Sequence, residues 1–117
     1  MPSIAPVILS GSINGRGKKV VATATPGTAI HTVSGTSGVI DELWLYATNT
    51  DTVTRRITVE FGGVTAPDDT ILMDLPPGNG PVCLVAGLRL TGGVLVTAFA
   101  AAANVVVVHG NVNRYTP

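Results

Sequence analysis

His31, His109 and Cys83 are the side chains of this 117-residue chain best suited to nucleophilic or soft-metal chemistry, and no two stand at a ligand spacing such as H-x-x-x-H or C-x-x-C. A Cys–His couple is made by folding and not by spacing, so Cys83 with His109 is the one pair to follow. A lone cysteine in a Val-rich strand is, however, ordinarily a small buried hydrophobe, and Cys83 is expected buried and dispensable. His31 lies in a short run, Thr28 to Thr32, that reads as an edge strand, where solvent or one hydrogen bond would satisfy it. Asp41-Glu42 opens a strand and Asp68-Asp69 follows Pro67 in a loop. Neither has the spacing of a calcium loop, which alternates oxygen donors around a glycine; the loop with Asp68-Asp69 reads as a solvated turn, and no metal or cofactor is expected. Five aromatic residues are too few to line a glycosidase cleft.

The stretch Ser10 to Lys19 approaches the phosphate-loop pattern and departs from it twice. Ser12 stands where the first glycine belongs and Lys19 where a hydroxyl should hold magnesium, and no helix signal follows. It reads instead as a Gly-rich connection carrying Arg16, Lys18 and Lys19, free to face solvent or an acidic partner.

These groups must be positioned by a chain of unusual composition. Seven Lys+Arg balance seven Asp+Glu, charged residues are 12% and hydrophobic residues 45%, and mean hydropathy is +0.44. A typical soluble domain carries about 25% charged residues. A monomer of this mass exposes on the order of 6,000 Å², so charges are sparse enough to leave apolar patches near the largest a soluble monomer tolerates. An oligomer or a component of an assembly is expected. Charge balance argues against nucleic acid as a partner. One cysteine excludes an intramolecular disulfide. Met1 to Ser10 lacks the basic start of a secretory leader, and the chargeless stretch Leu90 to Asn113 is interrupted by Gly92, Gly93, Asn104 and Gly110, so strand, turn and strand explain it better than a membrane span.

No apolar periodicity of 3.6 occurs, whereas Val and Thr abound and Gly or Pro recurs about every ten residues. The fold class expected is all-β, an antiparallel β-sandwich or β-barrel of about eight or nine short strands. The strands are placed at 5–12, 18–25, 28–33, 39–49, 53–61, 70–75, 82–90, 94–101 and 105–115. One domain spans 1–117, with residues 1–19 an arm and basic loop contacting neighbours. In the fifth strand Val53, Ile57, Val59 and Phe61 share one face, broken by Arg55, and Thr54, Arg56, Thr58 and Glu60 share the other. Asn49-Thr50-Asp51-Thr52 joins it to the strand before, so the two are expected to pair as a hairpin. A second hairpin is expected at the C-terminus, with the Ala-rich corner Ala98 to Ala103 between its strands. The strand from Val39 is apolar on two sides: Val39, Leu43, Leu45 and Ala47 suit a core, while Ile40, Trp44 and Tyr46 alternate with Glu42 and Thr48, the mixture of aromatic and polar groups that interfaces favour.

The segment from Val39 to Asn49, with Ile57 to Gly63, Gly80-Pro81-Val82, Gly87 to Leu90 and the closing Val105 to Tyr115, resembles small virion proteins of tailed bacteriophages, in strand texture and turn placement from residue 39 onward. The resemblance implies a small β-sandwich or barrel that decorates the capsid, commonly a trimer that cements major-capsid subunits on the head surface after synthesis in the host cytoplasm. It carries no catalytic signature. The expected function is therefore structural and non-enzymatic, with the chain itself and the major capsid protein as partners and no membrane or nucleic acid. Ile40, Trp44, Tyr46, Arg16, Lys18 and Lys19 are the expected contact residues. The alternative is a neck, tail or fibre component that recognises a receptor or carbohydrate.

Overall fold

The computed structural model describes residues 2–117. It contains nine strands and no helix: β1 (Ser3–Ile8), β2 (Lys18–Lys19), β3 (Thr28–Thr32), β4 (Ile40–Asn49), β5 (Arg55–Phe61), β6 (Thr70–Leu75), β7 (Val82–Leu90), β8 (Leu95–Ala100) and β9 (Val106–Thr116). They form two antiparallel sheets. The first, sheet A, runs β1-β9-β4-β7, with β2 on the same side of β9 as β1; sheet B runs β3-β8-β5-β6. The sheets remain separate and pack face to face, so the molecule is a sandwich and not a closed barrel.

The core lies between them. Leu43, Leu45 and Ala47 of β4, Val106, Val108 and Val112 of β9, Ile57 and Val59 of β5 and Val96 and Ala98 of β8 are all buried, alternating along each strand as a two-layer fold requires. Each fully buried Leu or Ile contributes about 1.5–3 kcal/mol by leaving water. Total exposed area is 6068 Å², close to that of any monomer of this mass.

Both expected hairpins are absent. β4 is hydrogen-bonded on both sides, to β9 and to β7, so β5 has no edge to join; it pairs with β6 and β8 in the other sheet. The turn formers are used to change sheets. Asn49 is 1% exposed, its Nδ2 donates to the carbonyls of Val53 and Leu75 at 2.8 and 2.9 Å, and its Oδ1 accepts from the Asp51 amide at 2.9 Å. That side chain fixes the exit of the chain out of the plane of sheet A. The C-terminal corner does likewise: β8 lies in sheet B and β9 in sheet A, joined through Ala101 to Val105 with Asn104 at φ 68. The Asn104 and Ala101 amides donate to the carbonyls of Val20 and Arg56. Among consecutive strands only β5 and β6 form a hairpin. The second strand, expected over 18–25, is two residues long. Beyond Val20 the chain leaves sheet A, and residues 22–27 fold over the outside of sheet B.

Alternation is also broken by bulges. The β3–β8 register shifts between Ala29 and His31, so Ile30 and His31 are adjacent and both 1% exposed. β3 is an edge strand, as expected, but His31 points to the interior, and hydrogen bonds rather than solvent satisfy its ring nitrogens. In β7 two register shifts leave Gly87 and Leu84 without partners in β4. Leu84 and Val85 both turn inward as a result, and Cys83 is exposed, contrary to the expectation of burial.

Candidate interaction face

The outer face of sheet A is assembled by register. On β4 it carries Ile40, Glu42, Trp44, Tyr46 and Thr48; their partners on β9 are Tyr115, Asn113, Asn111, His109 and Val107. Beyond these, β1 sets Ile4 beside Tyr115 and Ile8 beside Asn111, with Ile4 64% and Ile8 54% exposed. On the other side β7 sets Cys83 opposite Tyr46 and Ala86 opposite Trp44. Among the described residues, loops reach only its margins, Gly17 against His109 and Gly80 against Thr48. Ile40, Trp44 and Tyr46 are half-buried by leaning on their neighbours.

Gly87 explains the seat of the indole. It has φ +76, and a Cβ there would fall 2.9 Å from Trp44 Cζ2, so the ring lies flat over bare backbone. Trp44 Nε1 donates to Glu42 Oε1 at 3.0 Å, and Asn113 Nδ2 donates to the same oxygen at 3.2 Å. Glu42 Oε2 accepts from Tyr115 Oη at 3.0 Å and from Arg89 Nε at 3.2 Å. The Arg89 guanidinium carbon lies 4.7 Å from the centre of the Tyr115 ring. Hydrogen bonds from Trp44 and Asn113, joined by those from Tyr115 and Arg89, outweigh desolvation and hold the Glu42 carboxyl at about 2. It is ionised at neutral pH, and each of its oxygens already has two donors. Its role here is to fix the aromatic rings from below, and the charge of the cluster is neutralised by Arg89.

Between the sheets under this face lies a second network. Asp41 is 0% exposed; Arg114 Nε and Nη2 donate to its two oxygens at 2.7 and 2.9 Å, and the Ser34 amide donates at 3.1 Å. The Ser10 amide donates to His31 Nδ1 at 3.0 Å, so the ring proton sits on Nε2 and is donated to Asp41 Oδ2 at 2.9 Å. Burial works to raise the Asp41 pKa, but Arg114, His31 and Ser34 together bring it down to about 2. Asp41 raises that of Arg114 in return. Ser10 Oγ accepts from the Thr32 amide and is not placed as a nucleophile toward the imidazole.

Cys83 and His109 share the outer face, but Tyr46 stands between them as register partner of both. Two interstrand spacings, about 10 Å, separate them. Among the described residues no three His, Cys, Asp or Glu side chains gather as a metal site.

Of the expected contact residues, Ile40, Trp44 and Tyr46 are brought to one face. Arg16, Lys18 and Lys19 lie at its margin, where β2 pairs with β9; a Cβ on Gly17 would touch His109, the partner of Tyr46, at 2.6 Å. Arg16 and Lys19 are exposed and Lys18 half-buried. Met1, the first residue of the expected arm, lies outside the described residues; the rest of the arm is β1. The partners of Glu42 escaped sequence reasoning. Only the Glu42–Trp44 spacing of two residues was there to suggest them.

Outside this face, Glu60 is 1% exposed and has no cation partner among the described residues. The turn at 22–27 covers it: Thr25 Oγ1, the Gly27 amide and Thr97 Oγ1 donate to it at 2.5, 2.7 and 2.6 Å. Desolvation presses its pKa upward, and these three donors bring it below the ordinary value. Comparison with protein-family models, with curated proteins and with solved structures finds no match to this chain.

Proposed function

We propose that this protein is a structural, non-enzymatic assembly component of the kind that decorates and cements a bacteriophage head, associating with copies of itself and docking on the major capsid protein through the outer face of sheet A. The observation that carries the reading is the uncovered centre of that face, where Ile40, Trp44 and Tyr46 sit in a charge-neutral field anchored by Glu42. Aromatic residues over a satisfied polar cluster are the composition of interface centres, and they lose little on desolvation. The size is suitable. Ten residues of β4 at about 3.3 Å each and four strands at about 4.8 Å give a footprint of roughly 600 Å²; a standard interface takes about 800 Å² per partner. Low overall charge and the likeness in strand texture to phage virion proteins point the same way. The mechanism is mass action: a protein that binds only the assembled shell stabilises it in proportion to occupancy.

Co-sedimentation with purified capsids tests the reading. The native protein pellets with them, and Trp44→Ala and Ile40→Lys do not; pelleting of both variants at native levels would remove this face from the account. The recognition reading draws on the grouping of Trp44 and Tyr115 with Asn113 and Arg89, which are sugar-binding residue types. Against it, the donors of that cluster are already engaged with Glu42.

A further inference from the structure

The charges of this molecule divide in an orderly way. Four arginines are each paired with a carboxylate: Arg55 with Asp51, Arg56 with Asp74, Arg89 with Glu42 and Arg114 with Asp41. Among the described residues, Arg16, Lys18 and Lys19 have no ion pair, and all three fall within four positions of the sequence. Of the seven acids, three have no cation among the described residues: Glu60, which is buried under its own donors, and the neighbours Asp68 and Asp69. A chain of zero net charge therefore presents one free positive loop and one free negative loop.

The two loops sit on opposite flanks of the sandwich. The basic loop connects β1 to β2 on the edge of sheet A beside β9, and it is tied to the β3 edge of sheet B by the Gly11 amide donating to Ile30 O and the Thr32 amide donating to Ser10 Oγ. The acidic loop follows β5 and leads into β6, the far edge of sheet B, which packs beside β7, the far edge of sheet A. One is concave and the other exposed. Arg16, Lys18 and Lys19 line a concavity of about 510 Å³ together with Ser12 and Ile13. Residues 64–68 are all exposed, so Asp68 stands on a projecting turn, whose base Asp69 closes by accepting from the Thr65 amide at 3.0 Å.

We propose that the partner of the basic concavity is a second copy of this chain, whose Asp68–Asp69 turn enters it, joining molecules flank to flank and head to tail. The inference rests on the structural reading above and names the self-contact within it. A contact between different patches, repeated by rotation, closes into a ring, the class to which a trimer belongs. It leaves the outer face of sheet A free on every member to meet the shell. The two loops steer the encounter and set its direction, because two basic or two acidic flanks repel.

Sedimentation velocity on the full chain tests this. Raising salt from about 0.01 to about 1 M shortens the screening length from roughly 30 to roughly 3 Å, and association is expected to weaken by tenfold or more. The Lys18→Glu/Lys19→Glu chain and the Asp68→Lys/Asp69→Lys chain, both folded by circular dichroism, each sediment as monomers, and the chain carrying all four reversals recovers association. Self-association unchanged by salt and by either reversal overturns the proposal, as does failure of the four-fold chain to recover. Tripolyphosphate, added as a competing anion, should dissociate the native oligomer; its binding to the basic loop without effect on association would make the concavity a small-anion site and defeat the proposal. Capsid binding lost in Trp44→Ala, with association indifferent to the reversals, sinks this contact and spares the docking face; the opposite pattern does the reverse.

Discussion

Replacing Asp41 by Asn removes one charge from the closed interior with almost no change of volume. The Arg114 guanidinium then faces an amide, which cannot accept both of its donors at the present 2.7 and 2.9 Å, and the Ser34 amide competes for the single remaining oxygen. Two routes give the magnitude. The Asp41 carboxyl falls from an ordinary 3.8 to about 2; at about 1.36 kcal/mol per unit that is roughly 2.4 kcal/mol of stability. Breaking a buried pair costs about 3–5 kcal/mol, and because the Arg114 side chain is 31% exposed it recovers part of this by hydration. A loss of about 2–4 kcal/mol is expected at pH 7. The sign with pH follows from the depressed value: the unfolded chain binds the proton first, so the contribution is complete above about 4 and disappears as pH falls toward 2. Urea titrations of both proteins at pH 5 and pH 2 should show the gap between them narrowing by about 2 kcal/mol. A gap that stays constant across that range, or a variant as stable as the native chain at pH 7, would refute the assignment of Asp41 as the ionised hub of the interior.

Cys83, exposed on β7 opposite Tyr46, should react with a thiol reagent in the native state of the dissociated chain as fast as an unfolded thiol, and Cys83→Ser should shift stability by less than about 0.5 kcal/mol; slow labelling that requires unfolding contradicts the β7 bulges. Glu60→Gln places an amide NH2, itself a donor, among three donors and should cost about 1–3 kcal/mol, with amide exchange rising first at 25–27; a neutral outcome means that turn does not depend on the carboxylate. Gly87→Ala forces a side chain into φ +76 and against the indole, for about 1–3 kcal/mol and a shift in Trp44 fluorescence, and an unchanged emission would show that the ring is seated elsewhere.

How much of this was legible depended on whether alternation survived. The core face Val39, Leu43, Leu45 and Ala47 was plain, because β4 runs ten residues without a bulge in its pairing with β9 and a period of two needs nothing else to be read. In β7 the same rule fails: Cys83 stands two places before Val85 and should share its inward face, but the unpartnered Leu84 turns it outward. His31 lies on an edge strand and is hydrogen-bonded, as expected, but the insertion at Ile30 in β3 turns it inward, which alternation alone does not show. Asn49 to Thr52 are turn formers in any setting, and whether they close a hairpin or carry the chain to the other sheet is decided by β9 and β7 occupying both sides of β4, partners more than thirty residues away in sequence. The burial of Glu60 was not legible because its cover, residues 22–27, is equally remote. Of the candidate face, Ile40, Trp44 and Tyr46 were visible from one strand; Arg89, Asn113 and Tyr115 come from two others and share no pattern with it.

The central claim is that the outer face of β4 serves docking on the shell and its inner face serves folding, and co-sedimentation of Trp44→Ala and Leu45→Ala with purified capsids, each with a urea titration, addresses it directly. Trp44→Ala is expected to weaken capsid binding by about 2 kcal/mol or more with its β-sheet spectrum retained, while Leu45→Ala, truncated where exposure is 0%, should lose about 2–5 kcal/mol of folding stability. A native chain that does not pellet with capsids, or a Trp44→Ala chain that pellets as the native one does, would contradict it.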